Sequence, residues 1–513
     1  MNGMPPATPT IPSATHTVWL QPHPSRRSLA GAWLLLGLGA FLMSGVFACV
    51  LVLSRTPILA AWLPVADWFR ISLVLHVDLA VVVWLLSFAG SMWTLAGHDR
   101  DQGKGWFGWL AFGLALPGPL LMGVSPLLGA RQPIMSNYLP ILQHPLFFGG
   151  LLLFGCGIFL TALRLVLAPL VNPTAPTATP FSRENLWRWG ARCGAWAILL
   201  AIWTFLGAWR SLPTSLPDAV YYEHLFWGGG HLLQLAHTLL VMVVWLWLGR
   251  LGGLAFPWSP GWVALWFGLG LLPAGAGPVS YLVWPTISVE SRDFFTFLMS
   301  HGSWPAATLL GIGILWHWPK KRIKDQKGER KMPQKKRIKN WDGGPGGRAA
   351  PFPLAGFGAA PQPTDDLHSA RWFLGGSLGL LALGIILGGI IRDDSVMVTA
   401  HYHATVGAVT LACMGLTGYL LPLLGFGRFS PLWFRRQALL WTVGFLCLIV
   451  GLAWSGLHGV PRKTTLDGVT HGPGLLGMTL MGTGGVIALS SLFLFLGMAL
   501  RAVLMPEHRQ EAS

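Results

Sequence analysis

Residues 399–409 read TAHYHATVGAV, with His401 and His403 two positions apart inside a long apolar segment. Two more apolar segments contain histidines, RISLVLHVDLAVVVW (70–84) and LFWGGGHLLQLAH (225–237). A histidine near the middle of a membrane-spanning helix is costly and is usually functional. These three segments therefore predict a helical membrane protein with a buried histidine site.

The composition supports membrane spans over a soluble core. Of the 513 residues, 53% are hydrophobic and 11% are charged, about half the charged share of a typical soluble domain. The hydrophobic residues occur in blocks of twenty or more, which is the length that crosses a bilayer. The pattern predicts an all-α, polytopic protein with about twelve spans, near 28–53, 69–96, 106–129, 139–169, 188–209, 220–248, 261–284, 292–317, 371–391, 396–425, 435–456 and 473–501.

The basic residues indicate the orientation of the chain. The net charge is +16, and eleven Lys or Arg residues lie between Lys320 and Lys339. A basic loop between two spans is typical of the cytoplasmic side and can contact anionic lipid, so nucleic-acid binding is not expected. The basic turns 98–104 and 426–436 fall on the same side if the N-terminus is cytoplasmic.

This orientation gives a division of the whole chain. We expect two cytoplasmic tails and two blocks of spans, separated by a basic loop with a Gly/Pro-rich linker. The predicted ranges are a tail over 1–27, helices one to eight over 28–317, the loop and linker over 318–370, helices nine to twelve over 371–501, and a tail over 502–513.

The histidines share one depth in the predicted topology. Spans two, six and ten begin on the same side, and His76, His231, His401 and His403 lie about five to eleven residues into them. At ~1.5 Å per residue they form one layer in the outer half of the membrane. Side chains two residues apart on a helix point about 200° apart, so one helix can offer imidazoles to two cofactors. Iron in a porphyrin takes one or two such axial ligands.

Two other interpretations of the histidines are possible. They could be structural, joining helices by hydrogen bonds, or they could belong to a transporter. The shared layer favours two hemes: one held from both sides by His76 and one member of the pair, the other held from one side by the second member.

The motifs resemble subunit I of the heme-copper oxidase superfamily over nearly the whole chain. The motifs that show it are HVDLAVVVW, LFWGGGH, AHYHATVGAV and GVPRK (459–463), and the sixth-span motif is most similar to the B-type oxidases. The resemblance implies that His76 and His403 ligate a low-spin heme and that His401 is the proximal ligand of a high-spin heme. It also implies that Arg462 and Lys463 bind heme propionates, although Lys463 replaces the family's second arginine.

The copper site of that family is incomplete here. His231 matches its first histidine, but the seventh-span stretch GLLPAGAGPVSYLVWP (270–285) contains no histidine. One imidazole holds copper weakly because such sites need about three ligands. His301 on the eighth span is the better substitute ligand for a non-heme metal, and His237 is the poorer one. Tyr281 is a candidate replacement for the family's tyrosine, which is Leu235 here.

The resemblance implies a respiratory enzyme of the bacterial inner membrane that reduces O2 or NO. The alternative is a membrane cytochrome without a working copper site, acting in electron transfer or gas sensing. The five cysteines lie in apolar runs, and no heme-attachment CxxCH or copper-binding cysteine pair is present. Electrons are therefore expected from a periplasmic cytochrome c, a cupredoxin or a companion subunit.

Overall fold

The structure is a computed structural model, and nearly all of the chain that it describes is helical. The described residues are 24–57, 66–97, 105–168, 181–183, 185–254, 258–302, 304–318, 363–463 and 472–506. The basic segment between Lys320 and Lys339 lies outside them.

Eleven helical segments in the described ranges are long and apolar enough to cross a membrane. We number the spans in chain order, counting the predicted eighth. The long helices form spans one, four to seven and nine to twelve: Pro24–Arg55, Pro145–Leu167, Leu186–Ser211, Asp218–Leu251, Pro260–Val283, Pro363–Gly389, Val396–Leu423, Pro431–Leu457 and Pro473–Leu504.

The remaining spans are built from shorter segments. The eighth consists of two successive helices, Val289–Gly302 and Trp304–Trp316. The third consists of Gly105–Ala115, Pro117–Val124 and a short 3₁₀ turn, Ser125–Leu128. Proline at the start of a helical segment removes a backbone donor, which accounts for the break before Pro117.

The second span changes its helical form near the middle. An α-helix over Ala66–Val77 continues as a π-helix over Asp78–Trp84 and returns to α-helix over Leu85–Ala96. π-Helical turns are rare and are frequent at functional sites. The change begins two residues after His76.

The prediction that the fourth span begins at residue 139 is wrong. Two short strands, Pro133–Ile134 and Ile141–Leu142, pair antiparallel in the connection between spans three and four. The fourth helix begins only at Pro145, where the His144 side chain accepts a hydrogen bond from the Leu146 amide. The connection therefore folds over one end of the bundle.

Contacts between helix ends show how the chain is threaded. At the end where span one begins, Arg26 bonds to the Gly97 carbonyl after span two, and Gly427 bonds to Ala502 near the end of span twelve. We call this the lower end. At the opposite, upper end, Arg55 donates to the carbonyl of Pro461. These pairings agree with the predicted up-and-down order, while the sidedness of the membrane remains a prediction.

The last two spans pack very closely. A Cβ on Gly444 would lie 2.6 Å from the Ala488 backbone nitrogen, so only glycine fits between these two helices. Small residues let helix backbones approach in membranes, where van der Waals packing stabilises the pair. A Cβ on Gly45 of span one would lie 2.7 Å from the Leu492 side chain of span twelve. The first and last spans therefore pack against each other and close the bundle.

Three of the predicted range boundaries move. The first helix begins at Pro24, inside the predicted 1–27 tail, and the ninth begins at Pro363, inside the predicted 318–370 loop. The twelfth ends at Leu504, inside the predicted 502–513 tail. The two tails and the loop are otherwise expectations about residues that lie mostly outside the described ranges.

Candidate functional site

A cavity of about 280 Å³ opens among spans one, two, ten, eleven and twelve. Its walls are mostly apolar, with contributions from Phe41, Phe69 and Leu452. The sixth span contributes Leu233, Gln234 and other residues, and the connection before span four forms a further wall with residues from Met135 to Tyr138. Residues from the first two spans and from the last three spans therefore line the same cavity.

His76 is fixed on the wall of this cavity by Ser44 of the first span. The Ser44 hydroxyl donates to the His76 carbonyl oxygen at 3.0 Å, so its own oxygen accepts from the His76 Nδ1–H, 2.9 Å away. The Ser44 carbonyl lies 3.2 Å from the same nitrogen. No hydrogen bond within the described ranges reaches Nε2, which leaves that atom available as a ligand.

His403 lines the same cavity from the tenth span. Its Nδ1 donates to the carbonyl of Thr399, one turn earlier, at 2.8 Å. In a metal-ligating histidine, a hydrogen bond from the ring nitrogen that does not bind the metal fixes the tautomer and the ring orientation. The structure thus places His76 and His403 on the wall of one cavity.

His401 faces a different part of the bundle. Its Nδ1 lies 2.7 Å from the carbonyl oxygen of Gly384 in span nine, and a Cβ on Gly388 would lie 2.8 Å from its ring. The residue does not line the cavity that His76 and His403 share. The two-residue spacing therefore places the two rings in different surroundings.

Positive side chains lie at the upper end of the cavity. Arg462 and Lys463 line it, and Arg55 of span one joins them. Arg462 pairs with the exposed Asp394 carboxylate, while its buried Nε has no hydrogen-bond partner among the described residues. Such donors suit the carboxylates of a bound anion.

Lys463 is held in a strained and partly buried position. Its φ of +61° lies in the left-handed region, which non-glycine residues seldom adopt. The Nζ donates to the Met135 carbonyl and the Asn137 side chain, each at 2.7 Å. Burial lowers the pKa of Lys463 to about 8, and the positive charge of Arg462 adds to the shift.

His231 has different surroundings from His76 and His403. Its Nδ1 lies 2.7 Å from the Trp227 carbonyl oxygen, and its Nε2 lies 2.8 Å from the Tyr138 hydroxyl. The ring is buried among Tyr138, Trp227 and Phe295. Burial, followed by the Glu223 carboxylate, raises the pKa of Tyr138 above its ordinary value, so the phenol remains a donor.

The other candidate metal ligands lie elsewhere. His301 is exposed, stacks on Phe297 and directs Nδ1 to the Phe297 carbonyl and the Ser300 hydroxyl. His237 borders the cavity, with its Nε2 buried and without a hydrogen-bond partner. The described ranges contain no cluster of three His, Cys, Asp or Glu side chains that could hold a metal ion. The donor set around His231 therefore does not fit a copper ion.

Tyr281 does not take the place of the missing tyrosine beside His231. It packs against Phe295, and its hydroxyl approaches Gly228 of the sixth span. The tyrosine that meets His231 is Tyr138, which the sequence analysis missed. Ser44 and Arg55 were missed as well, because nothing in their local sequence distinguishes them from other residues of an apolar helix.

Comparisons with known proteins agree with this architecture. The chain is 27% identical over 518 residues to an uncharacterized protein of Rickettsia prowazekii, covering 90% of this chain and 93% of the relative. It is 30% identical over 146 residues to cytochrome c oxidase subunit 1 of Thermus thermophilus, covering 27% of this chain and 25% of that protein. No protein-family model matches the chain.

A solved structure with the same architecture is a heme-copper terminal oxidase, determined as a dimer by cryo-electron microscopy. The TM-score is 0.66 at 16% identity, over 93% of this chain and 84% of that one. The class is therefore defined: a multi-pass, all-α membrane protein with the fold of a heme-copper terminal oxidase. The fold that the motif resemblance implies is confirmed, while the sequence of this chain has diverged far from that oxidase.

Proposed function

We propose that the protein is a heme-binding membrane oxidoreductase that reduces O2 or NO in a bacterial respiratory chain. The observation that carries the proposal is the pair of open Nε2 atoms in one cavity. His76 and His403 each commit Nδ1 to a neighbouring carbonyl or hydroxyl, and within the described ranges no hydrogen bond reaches either Nε2. This is the state in which imidazole ligates iron.

The remaining wall of the cavity suits a heme. Apolar side chains would enclose the ring, and Arg55, Arg462 and Lys463 lie together at the upper end, where carboxylate groups could be neutralised. The buried, unpartnered Nε of Arg462 gives one specific donor for such a group. A heme held there supplies one-electron chemistry between the ferric and ferrous states.

His401 is the proposed ligand of a second, high-spin heme. Its Nδ1 is committed to the Gly384 carbonyl, which orients the ring toward a different side of span ten from His403. Since no heme-attachment motif lies in the chain, the donor of electrons would be a periplasmic cytochrome c, a cupredoxin or a companion subunit.

A second function is favoured by the surroundings of His231. The chain would act as a membrane cytochrome, transferring electrons or binding a gas, without a second metal. The seventh span has no histidine, and the Nε2 of His231 is hydrogen-bonded to a tyrosine.

Heme content and gas turnover distinguish these functions. Full-length protein in lipid nanodiscs should contain two hemes per chain by pyridine hemochrome assay. With a reduced donor it should consume O2 or NO in an electrode chamber if the first function holds. Two hemes without turnover of either gas would support the cytochrome, and a protein purified without heme would contradict both.

A further inference from the structure

We propose that His231 anchors the segment Met135–Tyr138 over the cavity, and that it does so in place of ligating a second metal. This segment, named here the cavity wall segment, belongs to the connection between spans three and four. The proposal deepens the proposed function, since it concerns the same cavity.

The first step is that both nitrogens of His231 are engaged. Nδ1 can donate to the Trp227 carbonyl oxygen at 2.7 Å, which leaves the Nε2 lone pair to accept the Tyr138 hydroxyl proton at 2.8 Å. A metal would need that same lone pair. Binding a metal would therefore require the hydroxyl of Tyr138 to leave.

The second step is that Tyr138 has little room to leave. A side chain on Gly230 would collide with the Tyr138 Cβ, so the tyrosine packs directly on the backbone of span six. Its ring lies 4.5 Å from that of His231 and 5.5 Å from that of Trp227. The glycine thus provides space that the tyrosine fills.

The third step is that the neighbouring residues hold the segment in the same place. The backbone amide of Asn137 donates to the Glu223 carboxylate at 2.9 Å, and the Asn137 amide group donates to the same carboxylate. Lys463 donates to Met135 and Asn137 from the GVPRK loop. Glu223 and His231 lie on one helix, so span six binds the cavity wall segment at two levels.

A fourth observation is that the described part of the chain offers no partner ligands for a metal at His231. On the seventh span, Ser280 donates within its own helix to Gly277, and Tyr281 packs on Gly228 and Phe295. One imidazole with no second nitrogen or sulfur ligand holds copper weakly. Hydrogen bonding to Tyr138 explains why a histidine is still useful at this position.

Copper content and local hydrogen exchange test the proposal in full-length protein in nanodiscs. After dialysis against a chelator, the wild type should hold less than about 0.1 copper per chain, because a single imidazole gives too few ligands. In Tyr138→Phe and His231→Ala, amide exchange over residues 133–142 should accelerate about tenfold, since one hydrogen bond to the segment is lost.

Two further variants make the result specific. His231→Gln retains a side chain able to accept from Tyr138 and should restore much of the protection, whereas it would not restore a copper site. Tyr281→Phe removes another buried hydroxyl near the same helix and should leave exchange over 133–142 unchanged. One tightly bound copper per chain that is lost in His231→Ala would overturn the proposal, as would unchanged exchange in Tyr138→Phe. Both measurements are independent of heme content, so failure here is distinguishable from failure of the proposed function.

Discussion

The cavity that contains His76 and the enclosed site around His231 use histidine in opposite ways. In both regions the Nδ1 atom is held by a hydrogen bond within the protein. At His76 and His403 the Nε2 atom is open, and the ring lines a cavity. At His231 the Nε2 atom is hydrogen-bonded to Tyr138 and the ring is enclosed by aromatic side chains.

The difference teaches that a histidine in a family motif is not by itself a ligand. What distinguishes a ligand from an anchor is whether a neighbouring donor has taken the free lone pair. The same fold can therefore keep one histidine site for a cofactor and use another for hydrogen bonding within the protein.

The largest expected effect follows removal of either open imidazole. His76→Ala and His403→Ala should each abolish the low-spin component of the heme spectrum, because a six-coordinate iron needs both axial ligands. Absorption spectra of the reduced and oxidised protein measure this directly.

His231→Ala is the matched control for that experiment. It removes a buried imidazole of the same size from the other region, and the low-spin spectrum should remain. If His231→Ala abolished the low-spin spectrum while His76→Ala preserved it, the contrast between the two regions would be reversed.

A smaller effect is expected when the orientation of His76 is disturbed. Ser44→Ala removes the hydroxyl that accepts from Nδ1, and loss of such a partner typically weakens metal binding roughly 10- to 100-fold. The rate of heme transfer to an apo-protein acceptor should rise accordingly. Ser87→Ala is the matched control. It removes a buried hydroxyl, on the span that contains His76, that makes no hydrogen bond within the described ranges, and it should leave the rate of heme transfer unchanged.

Arg462 should contribute less to heme retention than the axial histidines do. Arg462→Gln removes a partly buried cation with one unpartnered nitrogen, and loss of a charge-assisted hydrogen bond should raise heme transfer about tenfold. The pair with the exposed Asp394 adds little by itself. Arg392→Gln, at an exposed position nearby, should behave as the wild type.

The smallest effect is a pH dependence from Lys463. Burial lowers the pKa of Lys463 to about 8 in the protein without heme, and a bound carboxylate would raise this pKa again. In the heme-containing protein the ammonium should therefore lose its charge above pH 8, and the midpoint potential of the heme should then fall by on the order of tens of millivolts. In the protein without heme, the charged lysine opposes folding below pH 8, and the free energy of unfolding should rise between pH 8 and about 10.5.

Lys463→Arg shows whether Lys463 causes the pH dependence, because a guanidinium keeps its charge over the whole pH range. Redox titrations of the variant should show no such step above pH 8. A step of unchanged size in the variant would assign the titration to another group.

The spans and the paired histidines could be predicted because they leave local signals in the sequence. Apolar blocks set the spans, and the His-x-His spacing places His401 and His403 in different surroundings by helix geometry alone. The prediction lost accuracy where the chain is apolar but not helical. Ile141 and Leu142 are as hydrophobic as a span, yet they form a short strand that ends before the fourth helix begins at Pro145.

The side-chain partners of His231 and His76 could not be predicted, since they lie on other elements of the chain. Tyr138 lies 93 residues before His231, and Ser44 lies 32 residues before His76. Neither lies in a repeating pattern, and each meets its histidine only through tertiary packing. The sequence could therefore identify the imidazoles but not which of them has an open nitrogen.

The cavity is lined by both the first and the last spans, and this has a consequence for biogenesis. Ser44 and Arg55 are made early, whereas Met481 and Gly485 of span twelve complete the wall. A chain still emerging from the ribosome lacks that wall, so stable cofactor capture must await insertion of the C-terminal hairpin of spans eleven and twelve. Chains truncated before residue 472 should thus enter the membrane and fail to retain the proposed heme.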